Sequence, residues 1–206
     1  MVNGKQLETA AYNRPIEASV DILILCTGNI CRSPMAEALL RERLRERGIE
    51  ATISSAGITF DGRAATDEAI KAAAAYNVDL TEHRSRVMNA DMLHNAHLVI
   101  AMERMHAREA IVLGESLLQR TFTLKELVRR AEAMGARGPE ETIDAWLVRV
   151  GADRRPMELF GESVDDDVAD PYLGPPRVYE ACIAELDDLL RRLVGLLWPL
   201  ASKGAA

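Results

Sequence analysis

The chain has 206 residues, 48% apolar and 28% charged, a balance that excludes wholesale disorder, a collagen-like repeat or a fibrous heptad protein and allows one domain with decorations. Acidic residues outnumber basic ones by 32 to 25, a net charge of −7, so no broad basic face invites nucleic acid or an anionic membrane. Three cysteines (Cys26, Cys31, Cys182) are too few and too odd in number for a secreted disulfide framework, and the late apolar run Leu193–Ala201 is too short to span a bilayer. The expectation is a soluble, cytoplasmic protein with no nucleic-acid partner and no membrane insertion.

Residues 1–19 are polar and weakly periodic and read as a flexible N-terminal arm, and 201–206 as a tail. The fold starts at Val20. Asp21–Leu25 is a short β-branched apolar run, and Ser33-Pro34 opens a segment whose Ala36, Leu39, Leu40 and Leu44 recur at helical spacing until Gly48. Ala51–Ser55 predicts a second strand, and Thr66 caps an alanine-rich helix from Asp67 to about Asn77. His97–Met102 suits a buried parallel strand, Glu103–Val112 a helix, and Ser116–Phe122 a weaker fourth strand. Thr123 with Glu126 forms a capping box for a helix through Ala133. From Val178 the stripe Cys182, Leu186, Leu189, Leu190, Leu193, Leu197 draws one face of a long helix stopped by Pro199.

This alternation predicts an α/β fold: a doubly wound, about four-stranded parallel sheet flanked by helices, with the active crevice at the strands' carboxyl ends. Residues 20–200 then form a single domain, interrupted at about 134–168 by an insertion carrying one helix with Ile143, Trp146, Leu147 and Val150 and ending in Asp165-Asp166-Asp167. Trp146 and Trp198 sit among helical apolar neighbours and read as core anchors, and Cys182, on the apolar stripe, as a core thiol. His94, His97 and His106 share no ligand spacing, so neither a metal nor another cofactor is assigned.

Between the first strand and the first helix lies Cys26-Thr27-Gly28-Asn29-Ile30-Cys31-Arg32-Ser33-Pro34. A short loop from a strand end to a helix start can curl until successive backbone N–H groups converge, an anion nest reinforced by the helix dipole. Gly28 and Asn29 are residue types that tolerate the positive-φ kinks such a curl needs. Arg32 offers a planar fork for two oxygens of a tetrahedral oxyanion, so the loop reads as a cup for phosphate or a similar anion. At its floor, the dipole, the amides and Arg32 favour a Cys26 thiolate, a nucleophile; the plain alternative is a buried thiol at a strand end. Ser33 is a helix N-cap, a donor to the Cys26 sulfur, or both.

The string Leu25–Leu40, LCTGNICRSPMAEALL, resembles the signature of the low-molecular-weight protein tyrosine phosphatases. Ser54-Ser55-Ala56-Gly57, His83-Arg84-Ser85-Arg86 and Asp170-Pro171-Tyr172 resemble further segments of that family, so that the similarity spans about 20–127 and 166–198. The resemblance implies that Cys26 attacks phosphorus to give a phosphocysteine intermediate while Arg32 and the amides of Thr27, Gly28, Asn29, Ile30 and Cys31 bind the oxygens. It implies Asp170 as acid and then base, Ser33 as donor to the sulfur, Tyr172 and Phe60 as walls for an aryl ring, and Ser55 and His83 as partners pinning Asn29. The substrate implied is a phosphotyrosine-containing protein. Tyr172 is followed by Leu173 where family members often carry a second aromatic.

Three rivals stand beside that reading. A related branch that dephosphorylates arginine carries threonine where this loop has Ile30. Arsenate reductases use a similar cup, and one using an external thiol would need no further cysteines. A catalytically dead phosphoprotein-binding module usually lacks Cys26, Arg32 or Asp170, and all three are present. Finally, Cys26 and Cys31 are close enough in sequence to suggest a redox-sensitive pair, in which Cys31 captures an oxidised Cys26.

Overall fold

A computed structural model describes residues 20–200. The expected arm at 1–19 and tail at 201–206 lie outside the described residues. Four strands, β1 (Val20–Cys26), β2 (Ala51–Gly57), β3 (Leu98–Ala101) and β4 (Thr121–Thr123), form one parallel sheet in the order β2-β1-β3-β4. Among the described residues seven α-helices accompany them: α1 (Arg32–Glu46), α2 (Asp67–Ala74), α3 (Ala90–Asn95), α4 (Arg104–Val112), α5 (Leu124–Met134), α6 (Ile143–Val150) and α7 (Pro176–Leu197).

Successive strand side chains point to opposite faces, and β1 uses both. Ile22, Ile24 and Cys26 join the larger core with Leu39 and Leu40 of α1 and Leu186 and Leu190 of α7; Leu23 and Leu25 join a smaller one with Leu93 of α3 and Ala110 of α4. An all-parallel sheet covered on both faces explains why β3, and β1 beyond Asp21, read as unbroken apolar runs. From β1 the chain crosses first to β2 on one side and later to β3 on the other. The loops leaving β1 and β3 therefore diverge, and the crevice between them is the place where doubly wound sheets hold ligands. Cys26 ends β1; Met102 and Glu103 follow β3 directly.

Several expected boundaries move. The fourth strand shrinks to Thr121–Thr123, because Glu115–Arg120 forms a 3₁₀ turn that drives Leu117 into the smaller core. The adjacent leucines 117 and 118 do not alternate as a half-buried strand would. Thr123 does cap α5, its Oγ1 accepting from Glu126 N at 3.2 Å, but the Glu126 carboxylate turns to Arg130 and Arg154 instead of closing a reciprocal box. The short helix α3, capped by Asn89, was not expected. The interval 134–168 holds α6 and a second, 3₁₀ turn at Pro156–Leu159, where a single helix was expected.

That interval packs on the open edge of the sheet. Trp146 is fully buried in the larger core together with Phe122 of β4 and Leu127 of α5, and the Arg154 guanidinium lies 4.0 Å over the Phe122 ring. Cys182 is buried in the same core, where desolvation pushes its thiol up to about 12. Trp198 is partly buried against it.

Candidate active site

Cys26 pairs in register with Gly57 on β2, so the loop leaving β1 begins beside the end of that strand. A Cβ on Gly57 would sit 2.8 Å from Thr27 O and 2.9 Å from Asn29 N, so no other residue lets the loop lie this close. The loop is tied down there: Ile58 N and Thr59 N both donate to Thr27 O. Asn29 supplies the kink, at φ 52°, a conformation asparagine tolerates better than most residues. Gly28, expected to share that role, has no positive φ; instead a Cβ there would stand 3.0 Å from the Phe60 ring and 3.2 Å from Ile30. Its small size serves close approach to an apolar wall.

The strained asparagine is fully buried and held on every side. Its Nδ2 donates to Ser33 Oγ at 2.9 Å and to Ser55 Oγ at 2.8 Å, its Oδ1 accepts from Arg86 N at 2.9 Å, and its backbone oxygen lies 2.7 Å from His83 Nε2. The Ser55 hydroxyl in turn donates to Glu37 of α1. Such a network over-determines a backbone conformation that costs free energy by itself. At the floor, Asn29 N donates to Cys26 Sγ at 3.2 Å, and Ser33 Oγ lies 3.0 Å from the same sulfur. The N-cap of α1 is Cys31, so Ser33 lies inside the first turn and the N-cap role expected for it does not arise.

Arg32, the first residue of α1, is 1% exposed yet fully engaged. Nη1 donates to Glu103 and, at 2.9 Å, to Val168 O; Nη2 donates to Asp170 Oδ2 at 2.8 Å and Thr27 Oγ1 at 3.3 Å. Burial works against its charge, but Asp170 and Glu103 together outweigh burial and hold the guanidinium above its usual range. Asp170 also accepts from Tyr172 N at 3.1 Å, so it serves as a turn residue as well. Tyr172 is half-exposed, and Phe60 is partly buried with the Arg63 guanidinium 3.8 Å over its ring.

Cys31 points elsewhere. Its Sγ lies 3.4 Å from Thr66 Oγ1 and 3.8 Å from the Tyr179 hydroxyl, and burial pushes the thiol up. Two further residues at the cradle escaped the sequence reading: Glu103, which caps α4 by position, and His106 one turn on, whose Nε2 is 2.9 Å from Thr27 Oγ1. The spacing Glu103-x-x-His106 places both on one side of the helix start, a signal that was present but carries no meaning until β3 is known to end beside β1. Among the described residues no group of three His, Cys, Asp or Glu side chains is placed to hold a metal ion, and no helix is long and apolar enough to cross a membrane.

A parallel α/β sheet whose first strand runs into a strained loop, with a sulfur at its floor and a buried guanidinium beside it, places these side chains at the carboxyl ends of the strands, where doubly wound folds hold ligands. The model of the family described as low molecular weight phosphotyrosine protein phosphatase matches residues 21–145, and the chain belongs to that family. The match continues past residue 127, where the similarity was expected to pause. Among the relatives, a protein-arginine-phosphatase of Bacillus subtilis (strain 168) is 30% identical over 176 residues, covering 84% of this chain and 94% of its own. A probable low molecular weight protein-tyrosine-phosphatase, EpsP of Ralstonia nicotianae, is 38% identical over 145 residues, covering 64% and 96%. Among solved structures, the low molecular weight protein tyrosine phosphatase from T. tengcongensis aligns with a TM-score of 0.65 at 29% identity, covering 87% of this chain and all of that one.

Proposed function

We propose that the protein hydrolyses phosphotyrosine in protein substrates, and aryl phosphate monoesters in general, through a phosphocysteine intermediate. The observation that carries this reading is the floor of the cradle, where Cys26 Sγ accepts from Asn29 N and faces Ser33 Oγ beside the buried Arg32. In the first step the Cys26 thiolate attacks phosphorus, the bond from phosphorus to the aryl oxygen breaks, and Asp170 gives its proton to the departing phenolate. Arg32 and the loop amides of residues 27–31 take the charge on the phosphoryl oxygens. In the second step water attacks the phosphocysteine, Asp170 accepts a proton, and Cys26 leaves as thiolate with Ser33 donating to it. Phosphate departs, no cofactor is needed, and the enzyme returns to its starting state.

Phe60 and Ile30 crowd against Gly28, and the half-exposed Tyr172 follows on the Asp170 loop, so these side chains are the apolar walls that this reading assigns to an aryl ring. Ile30 in place of threonine favours phosphotyrosine over phosphoarginine. The second reading, a protein-arginine phosphatase, draws support from the Bacillus subtilis relative, which matches more of the chain than the EpsP relative does. Turnover of one peptide carrying phosphotyrosine and of its phosphoarginine counterpart separates the two. A preference of tenfold or more for phosphoarginine overturns the first reading, and arsenate turnover that requires an added thiol, without phosphate ester hydrolysis, would place the chain among arsenate reductases instead.

The same reading takes residues 20–200 as one catalytic domain with a structural insertion at 134–168. Its three free thiols suit a reducing, cytoplasmic setting, in which Cys31 can protect an oxidised Cys26.

A further inference from the structure

The reaction as set out leaves one buried imidazole beside the cradle without a task. His106 sits in the first turn of α4 with no exposed surface, and the Thr27 oxygen that its Nε2 approaches also accepts from Arg32 Nη2. Burial, then Arg32, then Arg108 push the imidazole down to about 3, so it is uncharged near neutral pH. An uncharged imidazole has one donor and one acceptor nitrogen, and a threonine hydroxyl serves either, so the contact persists in both tautomers. An apolar side chain at 27 would take an acceptor from the buried Arg32 Nη2, so the pair is tied to the guanidinium as well as to the core. The start of α4 grips Arg32 twice, directly through Glu103 on Nη1 and indirectly through His106 and Thr27 on Nη2.

We propose that His106 is a positioning residue for phosphoryl transfer: by anchoring Thr27 it fixes one arm of the Arg32 fork while Glu103 fixes the other. The inference rests on the reading of Arg32 as the oxyanion ligand. Asp170 now occupies Nη2 at 2.8 Å, a place that an incoming oxyanion takes over. Once Asp170 turns to the leaving group, Thr27 is the contact that keeps Nη2 from swinging, and bidentate recognition tolerates little swing.

The test compares His106→Leu, His106→Gln, Thr27→Val and the combined His106→Leu/Thr27→Val variant of the full chain. Two quantities are read: kcat/KM on an aryl phosphate, and affinity for inorganic phosphate in a Cys26→Ser background. His106→Leu and Thr27→Val should each lower kcat/KM by about tenfold to a hundredfold and weaken phosphate several-fold. The combined variant should be no worse than the poorer single one, because both break the same chain of contacts. His106→Gln, whose amide can reach Thr27, should restore most of the loss. A histidine that merely fills the core would lower Tm while leaving kcat/KM of the folded protein and phosphate affinity within twofold of the parent, and that result overturns the proposal. So do losses that multiply in the combined variant. Should His106→Leu fail to fold, Thr27→Val decides alone, since parental phosphate affinity in it breaks the link to Arg32. Lack of aryl phosphate turnover by the parent would sink the phosphatase reading, and the phosphate arm would still judge His106.

Discussion

Cys26, Asn29, Arg32 and Ser33 are all buried to 3% exposure or less, whereas across the crevice the Asp170 side chain is 43% exposed, Tyr172 44% and Leu173 86%. The first group is locked by a closed network running from Glu37 through Ser55, Asn29 and Ser33 to the sulfur. The second hangs on fewer ties: Val168 N donates to Met102 O, Val168 O accepts from Arg32, and Asp170 grips that same arginine. The contrast suits what the proposed reaction asks of each side. Donors that stabilise charge in the transition state act best when they are preorganised and dry, whereas a group that delivers and then retrieves a proton has to reach both a leaving group and a water.

The sharpest break of this comparison is at the floor of the cradle. Cys26→Ser should lower turnover of an aryl phosphate by more than about 10⁴-fold while inorganic phosphate still binds, because the amides and Arg32 remain and the nucleophile does not. A variant within tenfold of the parent would remove Cys26 from the chemistry. Asp170→Asn, on the exposed side, should cost about 10²–10⁴-fold in kcat for phenols of high pKa and much less for very acidic leaving groups that need no proton. Equal losses across a leaving-group series would mean that Asp170 matters only as the partner of Arg32 and the cap of its own turn.

A subtler break is in the strap that feeds the acid loop. Asp166 is buried between Arg104 and Arg129, and Asp167 accepts from Arg104 N at 2.7 Å and from Ser163 N at 2.8 Å, hooking residues 163–168 onto the start of α4. Burial alone would raise the Asp166 carboxyl, but the two arginines outweigh it and hold it below its ordinary value. A carboxylate depressed in the folded state contributes stability that is present above its unfolded value and is lost as pH falls through the folded one, so this clamp loosens only in acid. Asp167→Ala should therefore leave phosphate affinity near parental and lower kcat by about tenfold at neutral pH for poor leaving groups, through Asp170 rather than the cradle. A loss shared by good and poor leaving groups would point to the cradle instead.

Much of this was legible in sequence where chemistry is local. The strand, loop and helix from Val20 to Leu44 carry their own periodicity and their own anion nest, so the cup could be read from adjacent letters. What could not be read depends on topology. Glu103 and His106 acquire meaning because β3 lies beside β1, and the run Asp165–Asp167 because the chain returns there to α4. The segment Ser116–Phe122 was misread because short edge strands leave little pattern to detect, and a 3₁₀ turn buries Leu117 equally well. The cap lies two residues before Ser33, at Cys31; a serine before proline at a helix start ordinarily caps, but here its hydroxyl is taken by Asn29 and the sulfur.

The thiols sharpen the same contrast at smaller amplitude. Cys31→Ala should keep turnover within about threefold, since its side chain faces Thr66 and Tyr179. If Cys31 turns from Thr66 and Tyr179 toward an oxidised Cys26, the parent should regain most activity after peroxide treatment and reduction and Cys31→Ala should not, because no second thiol is left to intercept the sulfenic acid. Equal recovery would exclude Cys31 as the resolving thiol.

The smallest effect tests whether strain on the exposed side is functional. Leu173 has φ 63°, a left-handed conformation that a branched apolar residue rarely adopts, and it sits in the turn closed by Gly174 N donating to Pro171 O at 2.9 Å. Its side chain is 86% exposed, so packing offers little to offset the strain. Leu173→Gly should relieve about 1 kcal/mol of strain in the folded state, with part of the gain returned through the greater freedom of the unfolded chain. A small rise in Tm with unchanged kcat on a small aryl phosphate would mean that the strain at Leu173 does not serve the reaction on small substrates. A fall in kcat for the same small substrate would show that the strained turn itself holds Asp170 at its working height above the cradle.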